Sequence, residues 1–528
     1  MKRKYTIAAL ALAALIGLTS CSDDFLNLSD PNRESSDTFW KTEDQFNQGL
    51  SASYAIWRRP GMFSRWFHVL MELRSDEGWS SSPNQEFQAI ADFKNTAYNY
   101  DSNESVRLPW QETFNQIFYV NQVLDQMKDH GYDVMSKEQG DLIMGQAYFI
   151  RATAYWYIAS TYGRAPLQLT SQSDGKVVDQ KEMFEQVLAD YTEAEKLLPV
   201  KWTNSEDLGR PTRGAAMGQA ARVMMQLAGI DKRPESANAD EAKKYWTEAK
   251  TKIEEIFRLN VYSLVPNWID NFTDKNENNS ESLFEINFKD GLTDGKETGM
   301  QRPKFLGLYL SDGTGAWDDG SSRDWMLDEF DKERQKDGKP DLRKYYTLFY
   351  DNPEDTMKYY GKTMAEWKAA GLLGSKKTYW RKYTSVDSDN KPEDYSSGVN
   401  FRVLRLADVY LMYAEVLNEL GTDRATAVEY INKVRRRVNM ADLNPALFND
   451  YETLKDQIRH ERLVELCGEC TRWNDLDRWG DLHNQEAINK LAEHDPDFST
   501  FRLGVSHKYI IPMHELSLYP GLTQNPGY

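Results

Sequence analysis

Cys467-Gly468-Glu469-Cys470 is the grouping best placed to do chemistry, because CxxC spacing serves dithiol redox centres and half of a zinc site. Redox use needs the motif at a helix N-terminus, where the dipole lowers the thiol pKa. Here it closes a helical run over 451–470, and no second CxxC or matching histidine pair accompanies it. Two free, half-buried thiols are the first reading, a local disulfide formed after export the second, and a redox or metal function the third. The seven histidines (His68, His130, His460, His483, His494, His507 and His514) form no HExxH pair. Neither a GxSxG elbow nor a GxxxxGK[ST] loop occurs, and no GxGxxG follows a strand. Gly313-Thr314-Gly315 lacks the third glycine and reads as a turn. Asp312, Asp318 and Asp319 have cation-ligating chemistry but miss the EF-hand spacing, so solvated loop carboxylates are expected. With 82 Asp and Glu, spacing cannot pick out two acids facing across a glycosidase cleft. Catalytic signatures in the sequence are therefore poor.

Aromatic residues are the remaining surplus, at 15 Trp, 29 Tyr and 22 Phe. A sugar ring lays its C–H face on Trp or Tyr while its hydroxyls pair with Asp, Asn, Arg and Gln. Two loop-rich clusters fit. The first is Trp66, Asp76, Trp79, Asn84, Phe87, Tyr98 and Tyr100; the second is Tyr309, Trp317, Arg323, Asp324 and Trp325. For any one of these aromatics core packing is the plainer role, and it is their position in loops on a helical scaffold that singles them out.

Helices must supply that scaffold. Thr42-Glu43-Asp44-Gln45 is a capping box that opens a helix through about Trp57, and Ser136-Lys137-Glu138-Gln139 opens another that stops near Gly163. Helical apolar spacing marks 111–127, 215–228 (with Gly229 as its C′ residue) and 240–257. It returns at 406–420, 424–438 and 451–470. Between 261 and 382 the periodicity fades into loops, short helices and short strands, with 282–288 a strand candidate. The predicted fold is mainly α: tetratricopeptide-like helical pairs, small residues at their contacts, and an irregular, loop-rich ligand-binding insert. No clean 34-residue repeat supports the pairing on its own.

The N-terminus addresses location. Lys2, Arg3 and Lys4 precede an uncharged, mostly apolar stretch of about 13 residues, too short to span a bilayer and right for a secretory h-region. It ends in Leu18-Thr19-Ser20-Cys21, which resembles a bacterial lipobox, with lipid on Cys21 and cleavage before it. The alternative is an ordinary signal with an incidental cysteine. The boundaries expected are a signal peptide over 1–20, a lipidated tether over 21–38, an N-terminal helical region over 39–260, the irregular region over 261–382 and a C-terminal helical region over 383–528. After residue 20 the chain has 61 Lys and Arg against 82 Asp and Glu, a net charge of −21, which disfavours nucleic acid as a partner.

Several blocks, in order along nearly the whole chain, resemble the SusD/RagB family of surface glycan-binding lipoproteins. They are CSDDFLNLSDPN, GQAYFIRATAYWYIASTYGRAPL, GRPTRGAAMGQAARVMMQLAG, VLRLADVYLMYAEVLNELG, YINKVRRRVNM, RHERLVELCGECTRWNDLDRWG and the terminal YIIPMHELSLYPGLTQNPGY. The resemblance implies a helical, non-catalytic protein, with no cofactor, that captures an oligosaccharide or polysaccharide. It implies delivery to a SusC-like TonB-dependent outer-membrane transporter, over which the protein closes as a lid. Asp23 and Asp24 resemble the family's surface-export signal, which places the lipid-anchored chain on the outer face of the outer membrane. Peptide cargo, as in the RagB branch, is the alternative, and a surface glycoside hydrolase a third. Arg462, Glu465, Glu469, Arg472, Trp473, Asp475 and Arg478 match the family signature and are read as an ion-pair and packing network. The family more often has an aromatic where Gly468 stands and a glycine where Cys470 stands, which weakens a functional reading of the CxxC.

Overall fold

The computed structural model describes residues 39–94, 103–293, 296–297, 299–352, 355–387 and 392–528. Ten helices of ten or more residues frame the described chain. They are α1 (Glu43–Ile56), α2 (Glu104–Asp129), α3 (Lys137–Thr161), α4 (Gln180–Leu197), α5 (Arg213–Ile230), α6 (Ala239–Leu259), α7 (Leu406–Glu419), α8 (Arg424–Arg437), α9 (Tyr451–Leu466) and α10 (Gln485–His494). Their starts are chemically specified. The Ser136 hydroxyl accepts from the Gln139 N–H, and the Gln139 side chain returns the bond to close the predicted box. Thr42 caps α1 by accepting from the Gln45 N–H, while the Gln45 side chain reaches back to the Lys41 N–H. Asp179, Thr212, Asn238, Asp423 and Asp450 cap α4, α5, α6, α8 and α9 in the same way.

Consecutive helices pack on one another, α1 and α3 on α2, α4 on α3, α5 on α4 and α6 on α5, and later α8 and α9 on α7. α5 is buried from Gly214 to Ile230. Its Gly and Ala content lets its neighbours close in from every side. Among the described residues four strands exceed three residues: β1 (Arg164–Leu167) pairs antiparallel with β2 (Lys176–Asp179), and β3 (Ser282–Ile286) with β4 (Phe401–Arg405). The β3–β4 pair ties the two ends of the irregular region together and feeds straight into α7. One apolar core runs from Trp40 to Leu522. A smaller one inside the irregular region, around Leu308, Leu310, Tyr359, Met364, Trp367 and Tyr379, supports the loops there. No helix among the described residues is long and apolar enough to cross a membrane.

Two helix ends differ from expectation. Gly229 is inside α5 rather than after it: a Cβ there would lie 2.6 Å from the Arg478 carbonyl oxygen, so close approach to the helix Arg472–Arg478 requires glycine. α9 ends at Leu466, and Cys467 to Cys470 form a turn with Gly468 at φ +74° and Cys470 at φ +61°.

That turn borders a buried charge hub. Arg405 donates to Glu281 (3.0 Å), Glu465 (2.6 Å) and Glu469 (2.7 and 2.8 Å). Arg343 donates to Glu461 (2.6 Å) and Glu465 (3.0 Å), Arg437 to Glu281 (2.6 Å) and Glu465, and Lys382 to Glu469 (2.9 Å). Burial pushes the Glu465 carboxyl up, but Arg437, Arg405 and Arg343 overcome it and hold it well below the usual range. A second knot joins Arg462 to Asp408 and Asp475, and Arg478 to Asp475 and Glu415. The signature residues of the 459–480 block therefore build structure.

Candidate ligand-binding site

The two predicted aromatic clusters meet. Gly78 and Trp79 pair antiparallel with Ser322 and Ser321, which brings the 76–79 turn beside the 317–325 loop. The loop is anchored by backbone bonds of 2.7 Å each: Ala316 N–H to Leu308 O, Trp317 N–H to Lys304 O and Asp319 N–H to Phe305 O.

Only part of the predicted set reaches solvent. Trp66 is 1% exposed, with Phe87 at 5.4 Å and the Arg65 guanidinium 4.8 Å from its ring. Phe87 is equally buried and stacks on Phe305 at 6.0 Å. Asp76 is fully buried, taking two bonds from Arg472 (2.7 and 2.8 Å) and one from His494 (3.0 Å). Burial opposes its ionisation, yet Arg472 and His494 hold the carboxyl well below its ordinary range. Asn84 is exposed, but its side-chain oxygen caps the helix Gln85–Ala91. Trp66, Phe87 and Asp76 are corrected from ligand contacts to scaffold because they are buried, whereas Asn84 reaches solvent with its side-chain oxygen engaged as a cap. Tyr98 and Tyr100, like Cys21, Asp23 and Asp24, lie outside the described residues.

A half-buried tier comes next. Trp79 donates from its indole to Ser322 O (3.0 Å) and has Lys376 Nζ 4.7 Å from its ring. Arg323 is held by Asp495 and Asp497, and its N–H donates to Glu77 O (2.8 Å). Trp325 donates to Asp76 O (2.7 Å) and lies 4.2 Å from the His494 ring. Asp324 is exposed and accepts from the Thr378 hydroxyl (3.1 Å).

The outer tier is Tyr309, 40% exposed, and Trp317, 42% exposed. Trp317 stands edge-on to Phe305 (5.0 Å) and to Tyr395 (4.9 Å), with Lys304 Nζ 5.9 Å from its ring. Trp66, Phe87, Phe305 and Trp317 thus form an aromatic column from core to surface, in which the buried rings fix the exposed one. Phe305, Tyr395 and Lys376 were not among the predicted residues. Tyr395 carried a readable signal, a lone aromatic in the polar run 386–398; Lys376 carried none, since its contact with Trp79 is long-range.

Charges around the outer tier are tuned by burial. It pushes the Asp318 carboxyl up to about 6 despite its pairing with Lys376 at 2.6 Å. Cys467 and Cys470 are free and buried, and burial pushes both thiols well up, which keeps them protonated and poorly nucleophilic. Cys470 faces His68 Nδ1 (3.2 Å) beside Glu72, whose carboxylate is taken by two bonds from Arg302 (2.9 and 3.1 Å). The CxxC thus supplies two free, buried thiols, and Cys470 joins His68 and Glu72 in a group whose ligand atoms all lie within 4.8 Å of one another.

Comparison with known proteins places this geometry. Residues 236–528 match the family model described as SusD family, and residues 24–225 match one described as starch-binding associating with outer membrane. SusD-like protein P25 of Formosa agariphila is 26% identical over 93% of this chain and 94% of its own. A SusD superfamily protein from Bacteroides vulgatus superposes with a TM-score of 0.77 at 25% identity, covering 93% of this chain and all of that one. Surface glycan-binding protein A from Bacteroides fluxus superposes with a TM-score of 0.71 at 20% identity, over 92% of this chain and all of its own.

Proposed function

The chain belongs to the SusD family, and from that premise we propose that it is a glycan-binding lipoprotein of the outer membrane, without catalytic activity, that hands its ligand to a SusC-like TonB-dependent transporter. The observation that carries the reading is the outer tier: Tyr309 and Trp317 present ring surface to solvent on a braced loop, with Lys304 Nζ 5.9 Å from the Trp317 ring. Such sites combine apolar platforms with a few oriented polar groups. The name of the Bacteroides fluxus relative supports glycan as the ligand class. Cys21 is the proposed anchor, and Asp23 and Asp24 the proposed surface-export signal.

Calorimetry of the purified protein against a panel of glycans and peptides tests the ligand class. A bound glycan should lose about 1–3 kcal/mol of affinity in Trp317→Ala, the usual result of removing an aromatic anchor, with the melting temperature kept. Undiminished glycan binding in both Trp317→Ala and Tyr309→Ala would remove the site, and selective binding of peptides would replace the ligand. Cys21→Ser should release the protein from membranes.

A further inference from the structure

The chain is acidic overall, at −18, yet residues 356–382 carry seven Lys and Arg against a single acid, Glu366. Arg381 and Lys382 of that stretch are buried in ion pairs. Lys358, Lys362, Lys368 and Lys377 are exposed. Three of the stretch's lysines, Lys368, Lys376 and Lys377, line a cavity of about 420 Å³ together with Asp351, Tyr350, Tyr379 and Leu373. That size is in the ordinary range for a small-ligand site.

The cavity adjoins the outer tier. Ser311 donates its N–H to Leu372 O (3.0 Å), and Leu310 bridges to Leu373, so the loop bearing Tyr309 is bonded to the segment that lines the cavity. Gly374, in the lining, is so placed that a Cβ would lie 3.6 Å from the Tyr309 ring. Lys376 spans the two, lining the cavity while standing over Trp79.

The rim charges are not equally committed. Lys376 is engaged with Asp318 (2.6 Å) and Ser321 (2.7 Å). Lys368 pairs with Asp351 (2.6 Å) in an exposed bridge, a kind worth little in water. Lys377 reaches Asp324 only at 3.8 Å, and Lys362 lies over the Trp367 ring at 4.0 Å. Exchange of Asp351 or Asp324 for a ligand anion costs little, because both lysines are already solvated.

We propose that this lysine-rimmed cavity is an extension of the Tyr309–Trp317 platform that selects an acidic glycan, its lysines taking the carboxylate or sulfate ester of a sugar seated against the half-buried Tyr350 and Leu373. The proposal rests on the glycan-binding reading above and narrows it to a charge class. A neutral glycan would still use the aromatic platform; an acidic one would use both.

The test is calorimetry with polygalacturonate, alginate and a sulfated galactan, each beside its methyl-esterified or desulfated form. At least one acidic form should bind tenfold or more tightly than its neutralised partner, and the advantage should shrink as NaCl rises from about 50 mM to about 0.5 M. Uronate or sulfate preference identifies the anion. Lys368→Gln combined with Lys377→Gln, both exposed and away from the buried Asp318 pair, should erase the advantage and leave the neutral form unchanged. Equal affinity for acidic and neutralised forms, no binding of any acidic form, or an advantage that survives the double variant overturns the inference. If neutral glycans still bind through Trp317 in that event, the glycan-binding function stands without it. Absence of binding to any glycan removes both.

Discussion

The hub around Glu465 and the platform at Tyr309 and Trp317 are built from the same kinds of side chain, charged groups and rings, but differ in whether those groups have partners. In the hub, Arg343, Arg405 and Arg437 converge on Glu281, Glu461, Glu465 and Glu469 out of reach of water. On the platform, two rings stand two-fifths exposed and the nearby lysines hold solvated bridges. A buried charge gains its worth from a complete set of partners, and taking one away leaves the others desolvated and unpaired. An exposed ring gains nothing until a ligand covers it. Residue type therefore does not separate scaffold from site; the state of the partners does.

The sharpest way to break that contrast is Arg405→Met. It strips Glu281, Glu465 and Glu469 of a shared guanidinium and should cost about 3–5 kcal/mol of stability by chemical denaturation, the range for opening a buried pair from one side. A loss below about 1 kcal/mol would mean that the hub tolerates vacancies as the platform does.

The same contrast accounts for what could be read in the sequence. Glu465 and Glu469 of the hub, like Arg462, Arg472, Asp475 and Arg478 beside them, were legible because one short block resembles the family signature. Their partners Arg343, Arg405 and Glu281 come from distant segments and gave no local sign. The capping boxes and helix positions were legible from local spacing. The turn at Cys467–Cys470 was missed, because the run of helical spacing continues past Leu466 while the backbone turns left-handed at Gly468. In the site, Trp66 and Trp317 are alike as letters; Phe87 and Arg65 pack over one and solvent meets the other. Tertiary contacts make that choice, so periodicity and composition cannot.

Acid should separate the two regions next. Burial raises the Asp408 carboxyl, but Arg462 and Arg222 outweigh it and bring it down to about 2, and Asp475 and Glu465 are likewise held low. A carboxyl whose folded pKa lies below its unfolded value adds stability that is complete above about pH 4 and fades as the pH falls through the folded value. Asp408 alone then contributes about 2 kcal/mol, lost between about pH 4 and pH 2. On the platform Asp318 has the opposite sign: raised to about 6, it favours the folded state at low pH and penalises it as the pH rises past its unfolded value. Denaturation midpoints from pH 7 downward should fall steeply below about pH 4, as the hub dictates. Midpoints that hold level below about pH 4 would show that the paired carboxyls are not held low, because a raised acid such as Asp318 acts only between about pH 6 and pH 4.

The smallest effect is expected at Cys470, where the hub's terminal turn meets the foot of the platform. Its thiol faces His68, two residues from Trp66, and its backbone is left-handed at φ +61°. A side chain there costs roughly 1 kcal/mol relative to glycine. Elsewhere glycine is the worse residue by about 0.5–1 kcal/mol, because it loses more chain entropy on folding. Cys470→Ala removes the thiol's bond to His68 and keeps the strain; Cys470→Gly removes both. Each should lower stability by about 1 kcal/mol for the unpaired His68 nitrogen, but glycine should equal or exceed alanine, inverting the usual order by up to about 0.5 kcal/mol. Thermal denaturation of the two variants side by side reads that inversion. Alanine more stable than glycine by the ordinary margin would mean that the turn carries no strain, and that Cys470 is held for its contact with His68 rather than tolerated in a glycine's place.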